Sequence, residues 1–189
     1  MRQVLFIQGA GKDAHDKWDN QLVDSLHREL GAEYEILYPV MPNEDDPKFA
    51  SWRPAIEAQI ASLRDGALVV GHSVGGTMLI NTLGECRPPI TLSAIILLAA
   101  PFIGEGGWKS DDITPRSDLA SRLPHDTRVM LYHGEHDDVA PTEHVALYAR
   151  AIPQAKVRRL PGRDHQFDNN LAEVADDIRK LASRVSDEA

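Results

Sequence analysis

Valine, isoleucine and leucine concentrate in six short runs along the chain, at residues 4–7, 34–38, 67–70, 92–98, 128–132 and 156–160. Between these runs the apolar residues fall at helical spacing. Over residues 16–30, Trp18, Leu22, Leu26 and Leu30 recur every fourth position with Val23 beside them, and Gly31 supplies a stop. Trp52, Ile56, Ile60 and Leu63 repeat the pattern behind Ser51, an expected N-cap, with Pro54 placed in the first turn. Residues 77–83 read as a buried helix and 142–151 as a helix opened by Pro141. A last helix over 171–185 carries Leu171, Val174, Ile178 and Leu181 on one face, and the tail Ser186-Asp-Glu-Ala is expected to fray. This alternation predicts an α/β protein, with a sheet of about six mostly parallel strands and helices on both faces. No repeat or low-complexity tract interrupts it, and residues 1–189 are expected to form a single domain.

One junction asks for more than a turn. Ala67-Leu-Val-Val-Gly71 reads as a buried strand, Thr77 onward reads as a helix, and between them Ser73 is flanked by Gly71 and Gly75. This is the pattern Gly-x-Ser-x-Gly in a strand-to-helix setting, where a tight turn holds the serine in a strained backbone conformation and leaves room for little but glycine on either side. The following helix aims its first amides at the same place, where they can stabilise an oxyanion. Glycines also punctuate ordinary strand-to-helix passages, so the motif needs partners.

A serine hydroxyl is a weak nucleophile without a base, normally a histidine held by a carboxylate. In a parallel sheet those partners belong in loops at the C-terminal ends of later strands. His133-Gly-Glu-His-Asp-Asp-Val-Ala-Pro141 follows one such strand and Pro161-Gly-Arg-Asp-His-Gln-Phe167 follows the next. Ser73, Asp137 and His165 thus occur in the order nucleophile, acid, base.

With these three loops in place, the chain resembles the alpha/beta-hydrolase superfamily over essentially its whole length. Gly134-Glu-His-Asp137-Asp-Val-Ala-Pro141 matches the family's Gly-x-x-Asp-x-x-x-Pro acid loop, Gly162-Arg-Asp-His165 its base segment, and Ile7-Gln-Gly-Ala-Gly11 its oxyanion loop. The resemblance implies an alpha/beta-hydrolase fold and a catalytic triad of Ser73, Asp137 and His165. It also implies an oxyanion hole built from the backbone N–H groups of Val74 and Ala10, with Gly11 the alternative to Ala10. Gln8 stands where the family often has histidine, which leaves open how the loop is braced. Asp138 is the rival acid, but the spacing from Gly134 and to Pro141 favours Asp137. Asp164 reads as a loop-fixing residue, His133 and His136 as packing or hydrogen-bonding partners, and His72 as the variable elbow position without a chemical role. His15, His27, His125 and His144 have no motif around them.

The family inserts lids after the strand that corresponds to 92–98, and the interval 101–127 leaves no room for a cap domain. An open, shallow site is expected, lined by Phe102, Ile103 and Trp108, although Trp108 could equally anchor its loop. Segment 39–49, with Asn43-Glu-Asp-Asp, would discourage anionic substrates if it overhangs the site. Size and layout place the chain loosely beside retinoblastoma-binding serine hydrolases and small bacterial esterases. The expected partner is a small-molecule acyl substrate, and no cofactor is required.

Composition narrows the alternatives. A net charge of −9 and pI near 5.3 argue against binding nucleic acid or an anionic membrane through a basic patch. The single cysteine, Cys86, rules out an intrachain disulfide and reads as a small buried thiol. The histidines show no metal-ligand spacing, so no metal is expected. The first apolar run is too short for a secretion signal or a bilayer span, which suggests a cytoplasmic protein. Two rival readings stand beside a serine hydrolase: a noncatalytic interaction module on the same scaffold, and an alpha/beta-hydrolase with other chemistry, such as carbon–carbon cleavage or perhydrolysis.

Overall fold

The computed structural model describes the backbone of residues 1–187 and the side chains of residues 1–181. Each apolar run forms a strand: β1 (Arg2–Ile7), β2 (Tyr34–Leu37), β3 (Ala67–His72), β4 (Leu92–Leu98), β5 (Arg128–Gly134) and β6 (Lys156–Leu160). They pair in the order β2-β1-β3-β4-β5-β6, every pair parallel. The helices are α1 (Asn20–Leu30), α2 (Phe49–Ala61), α3 (Ser73–Glu85), the short α4 (Leu119–Arg122), α5 (His144–Ala151) and α6 (Ala172–Asp187).

Side chains alternate across a strand, so a sheet covered on both faces feeds two cores. Leu5, Ile7, Val69, Ile95, Leu97 and Leu131 pack with Trp52 and Ile56 of α2, Leu79 of α3 and Tyr148 of α5. Val4, Phe6, Val70, Ile96, Leu98 and Met130 pack with Leu22 and Leu26 of α1 and with Val174 and Ile178 of α6. Each such side chain taken fully out of water contributes roughly 1.5–3 kcal/mol, the main force holding helices to sheet. The chain moves outward from β1 to β2, then crosses back to β3. The crevice between the C-terminal ends of β1 and β3 is therefore the switch point where parallel sheets take their ligands.

Several local expectations shift. Trp18 leaves the α1 stripe: it lies in a π-helical turn, Ala14–Asp19, ahead of α1 and is 55% exposed, because the wider winding rotates it off the face formed by Leu22, Val23, Leu26 and Leu30. Helix α2 begins at Phe49, so Ser51 sits inside its first turn and bonds the Lys48 carbonyl at 3.0 Å instead of capping. Pro54 then falls in the second turn, where its missing N–H removes one helical bond. Cys86 is exposed, not buried. Helix α6 continues through Ser186 and Asp187, while Glu188 and Ala189 of the expected frayed tail lie outside the described residues. Among the described residues no cap domain interrupts the sheet, since the β4–β5 connection holds only the four-residue α4. No helix there is long and apolar enough to cross a membrane.

Candidate active site

The turn from β3 to α3 is built by glycine. A Cβ on Gly71 would come within 2.5 Å of the Gly76 Cα, and one on Gly75 within 1.9 Å of the Gln8 carbonyl oxygen. Helix α3 therefore starts in direct backbone contact with β3 and with the loop after β1. Ser73, its first residue, has φ 51°, in the left-handed region that L-residues avoid. Its hydroxyl faces the Nε2 of His165 at 3.0 Å, and the His165 Nδ1 faces both oxygens of Asp137 at 2.9 and 3.0 Å. Three side chains far apart in sequence form one hydrogen-bonded line.

The acid and base loops are locked together by their backbones. A Cβ on Gly134 would meet the Arg163 and Asp164 carbonyl oxygens at 2.3 and 2.4 Å, and the His136 N–H donates to the Arg163 carbonyl at 2.9 Å. Asp137, not Asp138, faces His165, and its side chain is completely buried. The amides of Val139 and Ala140 each donate to its Oδ1 at 2.9 Å, and His133 Nε2 lies 3.0 Å from its Oδ2 and from the Ala140 carbonyl. Burial alone would raise the Asp137 pKa. The bonds from His133, His165 and Val139 outweigh it and hold the carboxyl well below the usual range. Asp137 is thus a fixed anion that keeps a proton on His165 Nδ1 and leaves Nε2 to accept from Ser73.

Gln8 braces the first loop in place of histidine. Fully buried, it donates through Nε2 to the Glu44 carboxylate and accepts the Met41 N–H at 3.0 Å. Glu44 also accepts the His15 N–H at 2.9 Å, and its carbonyl takes the Gly11 N–H at 2.7 Å. The Glu44 charge is therefore spent inside the loop pair. Among the described residues no acceptor pairs with the Ala10 N–H, while the N–H of Val74, in the first turn of α3, has no intrahelical partner.

Of the expected lining residues, Phe102 packs edge-on against Tyr148 and donates its N–H to His144 Nδ1 at 2.9 Å. Trp108 bridges to Ile103, rests on the His144 ring and stays 39% exposed, so it anchors its loop while leaving indole surface open. Phe102 and Ile103 also line a groove of about 740 Å³ whose walls include none of Ser73, Asp137 and His165. Its volume alone gives it no link to the triad. Among the described residues no three His, Cys, Asp or Glu side chains are grouped as a metal site.

One buried pair escapes motif reasoning. Asp19 and His72 are each 1% exposed, with His72 Nδ1 2.9 Å from both Asp19 oxygens and His72 Nε2 3.0 Å from the His165 carbonyl. A signal was present: Asp19 occupies the same helical stripe as Leu22, Val23, Leu26 and Leu30, a charge on an apolar face.

No sequence-family model matches the chain, and no curated protein sequence matches it either. Solved structures do. The ydeN gene product from B. subtilis superposes with TM-score 0.75 at 18% identity over 97% of this chain and 100% of that one. Est1E from Butyrivibrio proteoclasticus gives 0.71 at 17% over 97% and 87%. XC6422 from Xanthomonas campestris, described as an a/b serine hydrolase without lid, gives 0.62 at 14% over 96% and 81%. The chain has the alpha/beta-hydrolase fold. The Ser73 turn and the loops that carry Asp137 and His165 lie at the C-terminal ends of β3, β5 and β6.

Proposed function

We propose that this protein is a serine hydrolase, a single domain that cleaves small carboxylic esters or thioesters through an acyl-enzyme. The observation that carries the reading is the unbroken line from Ser73 Oγ through His165 to a buried Asp137, set on a strained turn at the switch point. His165 Nε2 takes the Ser73 proton as Oγ attacks the carbonyl carbon. Asp137 stabilises the imidazolium that forms, and the proton then passes to the leaving alcohol or thiol. The Val74 and Ala10 amides hold the oxyanion; Gly11 is the weaker candidate because its N–H is already bonded to Glu44. Water deprotonated by the same His165 releases the acid.

A binding module would gain nothing from a serine at φ 51° and a fully buried carboxylate aligned on one histidine, both of which cost stability. Four exposed apolar side chains, Trp18, Val40, Trp108 and Val139, follow β1, β2, β4 and β5 on the edge that carries Ser73. They favour a neutral, apolar acyl group. The likeness in fold to XC6422, described as an a/b serine hydrolase without lid, supports this class without deciding the substrate. The test is hydrolysis of p-nitrophenyl acetate, butyrate and octanoate and of a matched thioester. Turnover that falls to the buffer rate in Ser73→Ala is expected; a folded wild type that cleaves none of them would overturn the proposal.

A further inference from the structure

Next to Ser73, Asp137 and His165 lies a second carboxylate–histidine pair, Asp19 and His72, joined to the His165 main chain. Its wiring joins three loops. Asp19 Oδ2 accepts the Gly9 N–H of the first loop at 2.6 Å, Asp19 Oδ1 accepts from Gln166 Nε2 at 3.2 Å, and His72 lies within the elbow beside Ser73. Through Nε2, His72 meets the main-chain carbonyl of His165 itself at 3.0 Å. The protonation state follows from the partners. A carboxylate faces one ring nitrogen and a carbonyl the other, both are acceptors, and so both nitrogens carry hydrogen. His72 is therefore an imidazolium, paired with an Asp19 anion.

We propose that the buried Asp19–His72 ion pair is the positioning device of this site, setting the His165 ring against Ser73 through the His165 carbonyl and setting the first loop through the Gly9 N–H. This inference rests on the serine-hydrolase reading. Asp19 and His72 touch no reacting atom; they act through His165 and through the loop that carries Ala10. Four further groups surround the pair: the His165 ring at 5.0 Å from the His72 ring, the Phe167 ring at 6.4 Å, Gln166 on Asp19, and the Asp137 charge beyond. Gly9 lies close to the pair: a Cβ there would sit 3.2 Å from Ser73 Cβ, a tight contact, and 3.4 Å from His72 Nδ1.

A misplacement of about 1 Å in a reacting group costs roughly 100-fold in rate. His72→Ala and Asp19→Asn should therefore lower kcat by about 10- to 100-fold on an ester the wild type cleaves, with KM changed less than threefold. Rates are measured well below each variant's melting temperature, so lost stability does not enter. His72→Gln, which keeps a donor toward the His165 carbonyl, should recover part of the loss. Gln166→Leu removes one bond to Asp19 at a half-buried position and should cost severalfold. Independently of turnover, NMR of the wild-type His72 ring should report an imidazolium from pH 6 to 8, and Asp19→Asn should release it to titrate. Folded variants with wild-type kcat would overturn the proposal, as would a neutral wild-type His72. If His72→Ala does not fold, Gln166→Leu and the ring spectrum decide. If the wild type cleaves no ester, the hydrolase reading fails, and a neutral ring would separately dismiss the ion pair.

Discussion

Seven non-glycine residues have positive φ among the described residues: Asp13, Asn43, Ser73, Ala99, Phe167, Asp168 and Asn169. Every one lies in or opens a connection that leaves the C-terminal end of a strand, the edge that carries Ser73, Asp137 and His165. Such residues cost of order 1–3 kcal/mol each and persist where the surroundings over-determine them. At Ser73 the surroundings are Gly71, Gly75 and the hydrogen bond to His165. Replacing Asp137 by Asn would leave the shape and remove the anion that fixes the His165 tautomer. The expected loss in kcat is about 10⁴-fold, read from ester turnover of the folded variant, and stability at neutral pH should fall as well, because the anion that the His133, His165, Val139 and Ala140 donors hold is gone. The same site sets two pH limits. Asp137 is depressed below its unfolded value near 3.9, so its stabilisation is present above that pH and disappears as pH falls through the folded value. For His72, burial lowers the pKa but the Asp19 charge and hydrogen bond raise it further, above about 6.5; its stabilisation is present below that pH and is lost as pH rises through the folded value. Melting curves should therefore show a steeper acid loss in wild type than in Asp137→Asn, and a steeper alkaline loss than in His72→Gln. Parallel curves would refute the assignments.

At the scale of elements, the site depends on how closely α3 approaches β3 and the first loop. Gly75→Ala would drive a Cβ to 1.9 Å from a main-chain oxygen that cannot rotate away, and should cost about 3 kcal/mol or more. Gly66→Ala meets nothing within 4 Å and bears only the strain of φ +81°, about 1–2 kcal/mol. Thermal melting should separate them, with Gly75→Ala falling by roughly 6–12 °C and Gly66→Ala by about half that. The six strands and their helices were legible in the sequence because fully buried runs and amphipathic stripes carry their own periods. The elbow and the two later loops were legible because glycine spacing records close approach, at Gly71, Gly75 and Gly134. The π-turn that turns Trp18 outward, the start of α2 at Phe49 and the pairing of His72 with Asp19 were not. Each depends on contacts made across the fold, above all the burial of Asp19 against a histidine distant in sequence.

At the scale of the molecule, charge and surface bear on the choice of substrate. The chain carries a net −9, and Asp45 and Asp46 stand in the exposed part of the connection after β2. Glu44 is tied to Gln8 and His15 and Asp46 to Lys48 at 2.7 Å, so the repulsion expected of segment 39–49 falls to Asp45 and to the overall field. An ester bearing a carboxylate should show a kcat/KM severalfold below its neutral counterpart at low salt, with the gap narrowing as the Debye length shrinks from about 30 Å at 0.01 M to about 8 Å at 0.15 M. Equal rates at low salt would remove charge from the account of specificity.

The central claim is that Ser73 is a nucleophile activated by His165. Its most direct measurement is labelling of the protein with a fluorophosphonate, followed by intact mass and mapping of the modified residue. One adduct per chain, located at Ser73 and lost or slowed at least 10³-fold in His165→Ala, is the predicted result. Labelling elsewhere, none in the folded wild type, or labelling of Ser73 at an unchanged rate without His165 would contradict it.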